Sequence, residues 1–275
     1  MQDFAADFPL RVVMGLFGMP LEDMPFMKKV TQEFFGPADP DVTSPLDEMP
    51  PDQAARAFQA AISSAYEWFH GFIVDRRETP RDDLLSTIAN AQTEDGELLP
   101  ESFVSGQYMQ LATASHDTTS TALTGVAMAA SRYPDQWDAV RADHSLIKNL
   151  VEESVRWMSP VKHFCRTASE DTELRGVTIS KGDRLMLNYP SGNRDEEYFQ
   201  NAEEFDLHRS PNKHLGFGFG AHGCIGLHIA RQEMAILWEE LLPHVMKIEL
   251  TGDPNPVKTN FVSSFKSCPV KITKA

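Results

Sequence analysis

The chain has 275 residues, of which 41% are apolar and 24% charged, so it can bury a sizeable core in one large domain or two smaller ones. With 25 Lys and Arg against 40 Asp and Glu, its net charge of −15 repels nucleic-acid phosphates and anionic lipid surfaces. The sequence opens without a basic leader and has no apolar stretch long enough for a membrane span, so we expect a cytoplasmic protein without nucleic-acid or membrane partners.

The first 159 residues show mainly helical patterns. Phe58, Ile62, Ala65, Phe69 and Phe72 recur at spacings of three and four, which is typical of one buried helical face. Prolines bound several of the other periodic segments. The predicted helices cover residues 52–78, 82–91, 101–132, 135–142 and 145–158, with a turn at 93–96.

Residues 160–275 show a mixed pattern. Arg175-Gly176 and Lys181-Gly182 are turn signals between short β-branched runs, which predicts small hairpins within residues 173–187. Residues 227–241 have the apolar periodicity of a helix, and short strands are predicted after residue 245. The fold class is therefore mainly α with a minor β part, and we expect a single domain with a helical part (1–159) and a mixed α/β part (160–275).

A glycine-rich loop around Cys224 carries the strongest chemical signal. Five glycines lie from Gly216 to Gly226, directly before the helix predicted from Leu227. Glycine lets several backbone N–H groups approach the Cys224 sulfur, and the positive end of the following helix favours a thiolate, which can ligate heme iron. A lone cysteine in such a turn is more often an inert core residue. A Phe-x-x-Gly-x-His-x-Cys-x-Gly match, however, arises by chance on the order of once in ten thousand such chains.

At these positions the sequence resembles the cytochrome P-450 family of heme-thiolate monooxygenases, whose signature is matched by Phe217, Gly220, His222, Cys224 and Gly226. The resemblance implies the cytochrome P-450 fold, with heme b (iron protoporphyrin IX) as cofactor and Cys224 as the sulfur ligand to its iron. It also implies that Phe217 shields the sulfur and that His222 contacts a heme propionate. Alone, His222 would be interpreted as a solvated loop histidine.

A polar run from Ala114 to Thr121 lies within the longest predicted helix and costs helix propensity. Hydroxyls in a helix bond back to carbonyls of the preceding turn, bend the helix and open a polar notch; a polar stripe facing water is the alternative. In the family, an Ala/Gly-Gly-x-Asp/Glu-Thr segment forms the oxygen-binding groove over the heme. Asp117 and Thr118 match its acid and alcohol, which implies that they are catalytic and relay protons to dioxygen. Ser115 stands where glycine is usual.

Glu153 and Arg156 have the i, i+3 spacing of a helical ion pair, which is usually a surface feature of small energy. The family has a Glu-x-x-Arg pair at this place, where it ties the helix to the irregular segment that supports the heme. The resemblance therefore implies a structural pair. The family's third partner is missing from residues 202–205, and either Arg194 or Arg209 could replace it.

The remaining implied positions surround the heme. Arg166 matches the family's second propionate-binding position; otherwise it would be an exposed strand arginine. An apolar substrate pocket above the heme is implied, although plain core packing is the alternative for each of its members. These members are Leu111, Ala114, Val161, Phe164 and Val262.

In its finer detail the sequence resembles bacterial terpene-alcohol hydroxylases of the α-terpineol and linalool types. The resemblance implies hydroxylation of a small hydrophobic, terpenoid-like substrate with O2 and two electrons from NAD(P)H, passed through a ferredoxin reductase and an iron–sulfur ferredoxin. It also implies that Met1 corresponds to a point well inside the family domain, so that the amino-terminal part is absent. The alternatives are a truncated, non-catalytic remnant with weak or no heme binding and, more remotely, a cysteine hydrolase.

Overall fold

The computed structural model describes residues 2–35, 39 and 49–275. The α-helices of these ranges are α1 Gln2–Ala5, α2 Asp7–Phe17, α3 Met24–Phe35, α4 Pro51–Glu78, α5 Leu84–Ala89, α6 Glu101–Ala114, α7 Asp117–Arg132, α8 Pro134–Ala142, α9 Ile147–Met158, α10 Tyr189–Gly192 and α11 Leu227–Leu241. None of them combines the length and the apolarity needed to cross a lipid bilayer. The mainly helical class predicted from the sequence is confirmed.

The strands are short and pair in antiparallel twos. They are β1 His163–Thr167, β2 Thr172–Leu174, β3 Val177–Ile179, β4 Arg184–Asn188, β5 Val245–Leu250, β6 Asn255–Pro256, β7 Phe265–Ser267 and β8 Val270–Lys274. Among the described residues the pairs are β1 with β4, β2 with β3, β5 with β8 and β6 with β7. The strands all follow α9, as the change of pattern near residue 160 predicted.

Several helix boundaries match the sequence patterns closely. The prediction for residues 227–241 coincides with α11, and that for 52–78 differs from α4 by one residue. α5 is shorter than predicted because Asp83 caps its start, where the side chain accepts a hydrogen bond of 2.6 Å from the Ser86 N–H. Local start and stop signals therefore set most of these ends.

The prediction of one continuous helix over residues 101–132 is wrong. The structure has two helices, α6 and α7, separated by Ser115 and His116. The Ser115 hydroxyl donates to the Leu111 carbonyl at 2.7 Å, and the His116 side chain reaches out to other parts of the chain. These side-chain bonds compete with regular helix geometry and produce a break rather than a bend.

Only one of the two predicted hairpins forms. β2 and β3 pair across Arg175-Gly176, where both residues have the positive φ that a tight hairpin turn needs. Lys181-Gly182 is also a turn, but β4 after it pairs with β1 instead of β3. The turn signal was therefore correct, whereas the partner strand came from earlier in the chain.

Two buried apolar clusters hold the helices together. One is formed mainly by α2, α3, α4, α5 and α6. The other surrounds α7, which packs against α8, α9, α11 and β5. Every residue from 121 to 130 is buried. A helix buried on all sides is a central element of its core, so this part of α7 lies at the centre of the second cluster.

A buried ionic cluster fixes the irregular segment between α10 and α11. Arg156 of α9 donates through Nε and one terminal nitrogen to Glu153 at 2.8 Å, and both side chains are at most 1% exposed. The remaining Arg156 N–H groups donate to the carbonyls of Asn193, Ala202 and Glu204 at 2.7 to 2.8 Å. All five guanidinium donors therefore have acceptors.

Arg209 is the third member of this cluster. Its Nε lies 3.0 Å from the nearer Glu153 oxygen, whereas Arg194 instead donates to the Trp157 carbonyl and pairs with Glu203. Glu153 thus balances two buried cations. The cluster thus holds the segment 193–209 in place and determines where the following loop begins.

Replacing Glu153 by Gln should destabilise the fold strongly, because Arg156 and Arg209 would remain buried without a counter-charge. We expect a loss of about 3–5 kcal/mol in the free energy of unfolding, measured by urea denaturation. Glu203→Gln is the matched control, since this carboxylate pairs with Arg194 but its side chain is 78% exposed. Its loss should stay below about 1 kcal/mol. Equal losses in the two variants would contradict the structural role of the cluster.

Candidate cofactor site around Cys224

The loop before α11 is held by its own backbone. The Cys224 N–H donates to the Phe217 carbonyl at 2.8 Å, and the Gly218 N–H donates to the Leu215 carbonyl at 2.8 Å. Gly218 and Gly220 both have φ of +71°, a conformation that side chains disfavour. These two glycines therefore provide the left-handed backbone conformation that the turn requires.

The loop is anchored to the buried ionic cluster through Asn193. Its carbonyl accepts from Arg156, its side-chain oxygen accepts from the Leu215 N–H at 2.6 Å, and its amide donates to the Ser159 hydroxyl at 2.9 Å. Asn193 is fully buried. The start of the Cys224 loop is consequently fixed from α9.

The loop presents a thiol among exposed apolar side chains. Cys224 is exposed, Ile225 is 88% exposed and Phe219 is 85% exposed. The exposed imidazole of His222 lies two residues before the thiol. Large exposed apolar side chains beside one sulfur ligand suit a flat apolar ring with acidic edges. The residues of the loop therefore fit a heme, with Cys224 available to its iron.

Opposing influences act on the Cys224 sulfur. Burial raises the pKa of the Cys224 thiol and outweighs the hydrogen bond from the Gly226 N–H and the charge of Arg231, which lower it. The thiolate expected to be prepared by backbone N–H groups stays a prediction.

Arg231, Glu152 and His214 form a second charged group that supports the Cys224 loop. Arg231 of α11 lies over the Phe217 ring at 4.6 Å and donates to Glu152 of α9 at 2.6 Å. Glu152 also pairs with His214 at 3.0 Å. Burial acts to raise the pKa of Glu152, but His214 and Arg231 outweigh it and lower the pKa to about 2. Glu152 is thus ionised at neutral pH and links α9, α11 and the loop.

Asp117 and Thr118 lie at the start of α7, directly after the helix break. The Thr118 hydroxyl donates to the Ala114 carbonyl at 2.8 Å, so its oxygen remains available as an acceptor. Burial raises the pKa of Asp117, whereas the positive charges of His116 and Lys28 lower it. The polar run therefore lies at a helix break, and the notch expected there stays a prediction.

Sequence reasoning missed Glu233, which connects the two parts of the site. This residue of α11 accepts a hydrogen bond from Thr119, a buried residue of α7. Burial raises the pKa of Glu233 to about 7, opposed by that hydrogen bond. The available signal was an acidic residue directly beside Met234 of the buried helical face. Its partner could not be identified from the sequence.

The other implied positions differ in their surroundings. Val161 and Val262 form an isolated antiparallel bridge, and Val262 is fully buried. Phe164 is 45% exposed and its ring contacts Phe261 at 5.3 Å. Leu111 and Ala114 lie in the last turn of α6, partly buried and exposed respectively.

Arg166 lies on β1, on the strand pair that follows α9. It donates to the Cys165 carbonyl at 2.9 Å and forms no ion pair with the described residues. Its guanidinium therefore keeps donors free for an anion.

Comparisons with known proteins match nearly the whole of this chain. A family model described as cytochrome P-450 matches residues 1–271. Cytochrome P-450-terp of a Pseudomonas species is 49% identical over 278 residues, which cover 100% of this chain and 64% of that protein. A steroid C26-monooxygenase of Rhodococcus jostii is 35% identical over 273 residues, which cover 98% of this chain and 55% of that protein. The chain thus spans less than two thirds of these relatives.

Solved structures show the same fold. CYP108D1 from Novosphingobium aromaticivorans superposes with a TM-score of 0.87 at 42% identity, covering 98% of this chain and 62% of that one. A Mycobacterium marinum cytochrome P-450 in complex with pseudoionone superposes with a TM-score of 0.90 at 34% identity, covering 98% and 64%. Both matches extend over nearly all of this chain.

Replacing Glu233 by Gln should change how stability depends on pH. Because burial raises the pKa of Glu233 from 4.5 to about 7, the folded protein binds this proton more tightly than the unfolded chain. The free energy of unfolding of the wild-type protein therefore falls as pH rises from 4.5 to about 7. In the Glu233→Gln variant the side chain does not titrate, so this loss does not occur. Relative to wild type, the variant should gain on the order of 2–3 kcal/mol over this window.

Urea denaturation at a series of pH values measures this gain. Glu239→Gln is the matched control, since Glu239 lies on the same helix but is exposed. The control should follow the wild-type pH dependence. A Glu233→Gln curve parallel to wild type would show that this carboxyl titrates normally.

Proposed function

This chain belongs to the cytochrome P-450 family, and we propose that it forms the heme-binding part of a monooxygenase that hydroxylates a small terpenoid-like substrate. The reaction consumes substrate, O2, two electrons and two protons, and yields the alcohol and water. The observation that carries the proposal is the exposed Cys224 thiol, presented by a backbone-locked glycine loop among exposed apolar side chains.

The residues of the loop and of β1 have separate tasks in this proposal. Cys224 would bind the heme iron through its sulfur, and Phe217, whose ring packs against the Arg231 guanidinium, would shield that sulfur. His222 and Arg166 would bind the two propionates, because both present free nitrogen donors at the surface. Bound there, heme supplies the binding and reductive activation of dioxygen.

Asp117 and Thr118 would take part in proton transfer. The Thr118 oxygen, whose own hydrogen is held by the Ala114 carbonyl, can accept a hydrogen bond from a water or from the reacting group. Burial raises the pKa of Asp117, which makes this carboxyl a better proton carrier near neutral pH than an exposed aspartate. Together they would deliver the two protons that the reaction consumes.

The substrate class rests on similarity and on the apolar residues near the site. The 49% identity is to cytochrome P-450-terp, and the Mycobacterium marinum structure holds pseudoionone, an apolar ligand of terpenoid size. Phe164, Val161 and Leu111 would supply apolar contacts. Electrons would come from NAD(P)H through a ferredoxin reductase and a ferredoxin, as in the bacterial members that the sequence resembles.

Replacing Cys224 by Ser should abolish the long-wavelength absorption band that reduced, carbon monoxide-bound heme-thiolate proteins show, because serine does not supply a thiolate. The measurement is the difference spectrum of the protein reconstituted with heme. Cys165→Ser is the matched control: Cys165 is also exposed, but it lies on β1 and should leave the band unchanged.

A band that survives in Cys224→Ser would remove Cys224 as the ligand. A wild-type protein without any band would favour the alternative of a chain that does not bind heme productively.

Binding spectra test the substrate class. The heme-loaded protein should respond to a monoterpene alcohol at concentrations at least about tenfold lower than to a steroid or a methyl-branched lipid, the compound classes in the names of other relatives. The measurement is titration of the heme absorption with each compound. Tighter binding of the steroid or the methyl-branched lipid would overturn the terpenoid assignment and leave the heme assignment intact.

A further inference from the structure

A groove with a volume of about 480 Å³ lies where three segments of the chain meet, outside the Cys224 loop. The segments are the junction of α9 and β1, the junction of β4 and α10, and the stretch before β7. The groove has cationic, amide and apolar walls, which include Lys162, Arg194, Asn188, Asn260, Met158 and Pro190. It therefore combines the kinds of groups that bind an organic anion.

Backbone hydrogen bonds hold these segments against one another. The Lys162 N–H donates to the Phe261 carbonyl at 2.8 Å, and the Lys162 carbonyl accepts from the Tyr189 N–H at 3.0 Å. The Ser263 N–H donates to the Pro160 carbonyl at 2.8 Å. The groove is therefore preformed by the fold and does not depend on the chance positions of surface side chains.

Lys162 is a partly buried cation that lacks a counter-charge. Its Nζ donates to the Thr259 carbonyl at 2.6 Å, and it forms no ion pair with any residue that the structure describes. Burial lowers the pKa of the Lys162 ammonium, and no carboxylate of the described ranges opposes this change. Because a desolvated charge without a partner is unfavourable, an anion in the groove would stabilise this lysine.

Arg194 brings a second cation to the same groove. One of its terminal nitrogens donates to the Trp157 carbonyl at 2.6 Å, and Nε pairs with Glu203 at 3.1 Å. Its other N–H groups have no acceptor within the described part of the chain and remain available to a ligand. Lys162, Arg194 and Glu203 together carry one net positive charge, which suits a monoanion.

The remaining walls suit the rest of an organic molecule. Met158 and Pro190 are apolar, and both line the groove. The Asn188 side-chain oxygen accepts from the Ser191 N–H at 3.1 Å, so its amide N–H groups can point elsewhere. Asn260 is exposed and adds a second amide. An organic anion would therefore find more contacts here than an inorganic ion of the same charge.

We propose that this groove binds a small organic carboxylate, whose carboxylate group lies between Lys162 and Arg194. Its apolar part packs on Met158 and Pro190. The inference does not rest on the proposed function, because none of these residues belongs to the Cys224 loop or to the polar run of α7.

A ligand in the groove would join two segments that carry the implied substrate pocket. Val161 directly precedes Lys162, Val262 follows Asn260 by two residues, and the two valines form an antiparallel bridge. A carboxylate bound to Lys162 that also contacts Asn260 would hold both sides of this bridge. Its binding should therefore stabilise the folded chain.

NMR titration of the full, nitrogen-15-labelled chain with benzoate tests the site and needs no heme. The largest shifts should occur at the backbone N–H groups of Lys162, Arg194 and Asn260. Benzamide has nearly the same shape without the charge and should bind at least about tenfold more weakly. Equal binding of benzoate and benzamide, or tighter binding of inorganic phosphate than of benzoate, would overturn the proposal. This comparison uses the wild-type protein alone.

Lys162→Met keeps most of the side-chain stem but lacks the charge, so it should weaken benzoate binding at least about fivefold. Lys148→Met is the matched control, since Lys148 is an exposed lysine on α9, and its benzoate affinity should equal that of wild type. Saturating benzoate should raise the Tm of wild type and of the control but not that of Lys162→Met. An unchanged benzoate affinity in Lys162→Met would refute the assignment.

Discussion

The requirement to satisfy one buried arginine organises the part of the chain that carries the thiol. Arg156 has five N–H groups, and none of them can reach water. Glu153 accepts two of the donated bonds, and the carbonyls of Asn193, Ala202 and Glu204 accept the others. A segment with little regular structure is thereby wrapped around one guanidinium. Asn193 also fixes the start of the Cys224 loop, because its side-chain oxygen accepts a hydrogen bond from the Leu215 N–H.

The polar side chains of α7 are constrained in a similar way. The buried ones among them, and the buried His116 just before the helix, need a partner from another element or from their own helix. His116 finds Thr31 and Ala6, Thr119 finds Glu233, and Thr121 bonds back to the Asp117 carbonyl at 2.7 Å. These partners come from α3, the α1–α2 junction and α11, so the groove is set by contacts between elements. The same contacts place titratable groups on both sides of α7.

Local patterns predicted much of this structure correctly. The helices α4, α8 and α11 follow directly from apolar periodicity and bounding prolines or glycines, and the Arg175-Gly176 hairpin follows from its turn residues. Patterns failed where a distant partner decided the outcome. The single long helix was wrong because His116 bonds residues about a hundred positions earlier in the chain. The second hairpin was wrong because β1 offered β4 a partner.

The sequence by itself determined the family, the mainly helical class and the position of the thiol, because these depend on residue types at short, fixed spacings. Only the tertiary structure decided that Glu153 and Arg156 form a buried pair, that Arg209 completes it, and that Glu233 meets Thr119. It also decided that desolvation raises the pKa of the exposed Cys224 thiol despite the Gly226 N–H and Arg231. Burial and long-range pairing set the energy of a charge, and neither quantity is encoded in the spacing of neighbouring residues.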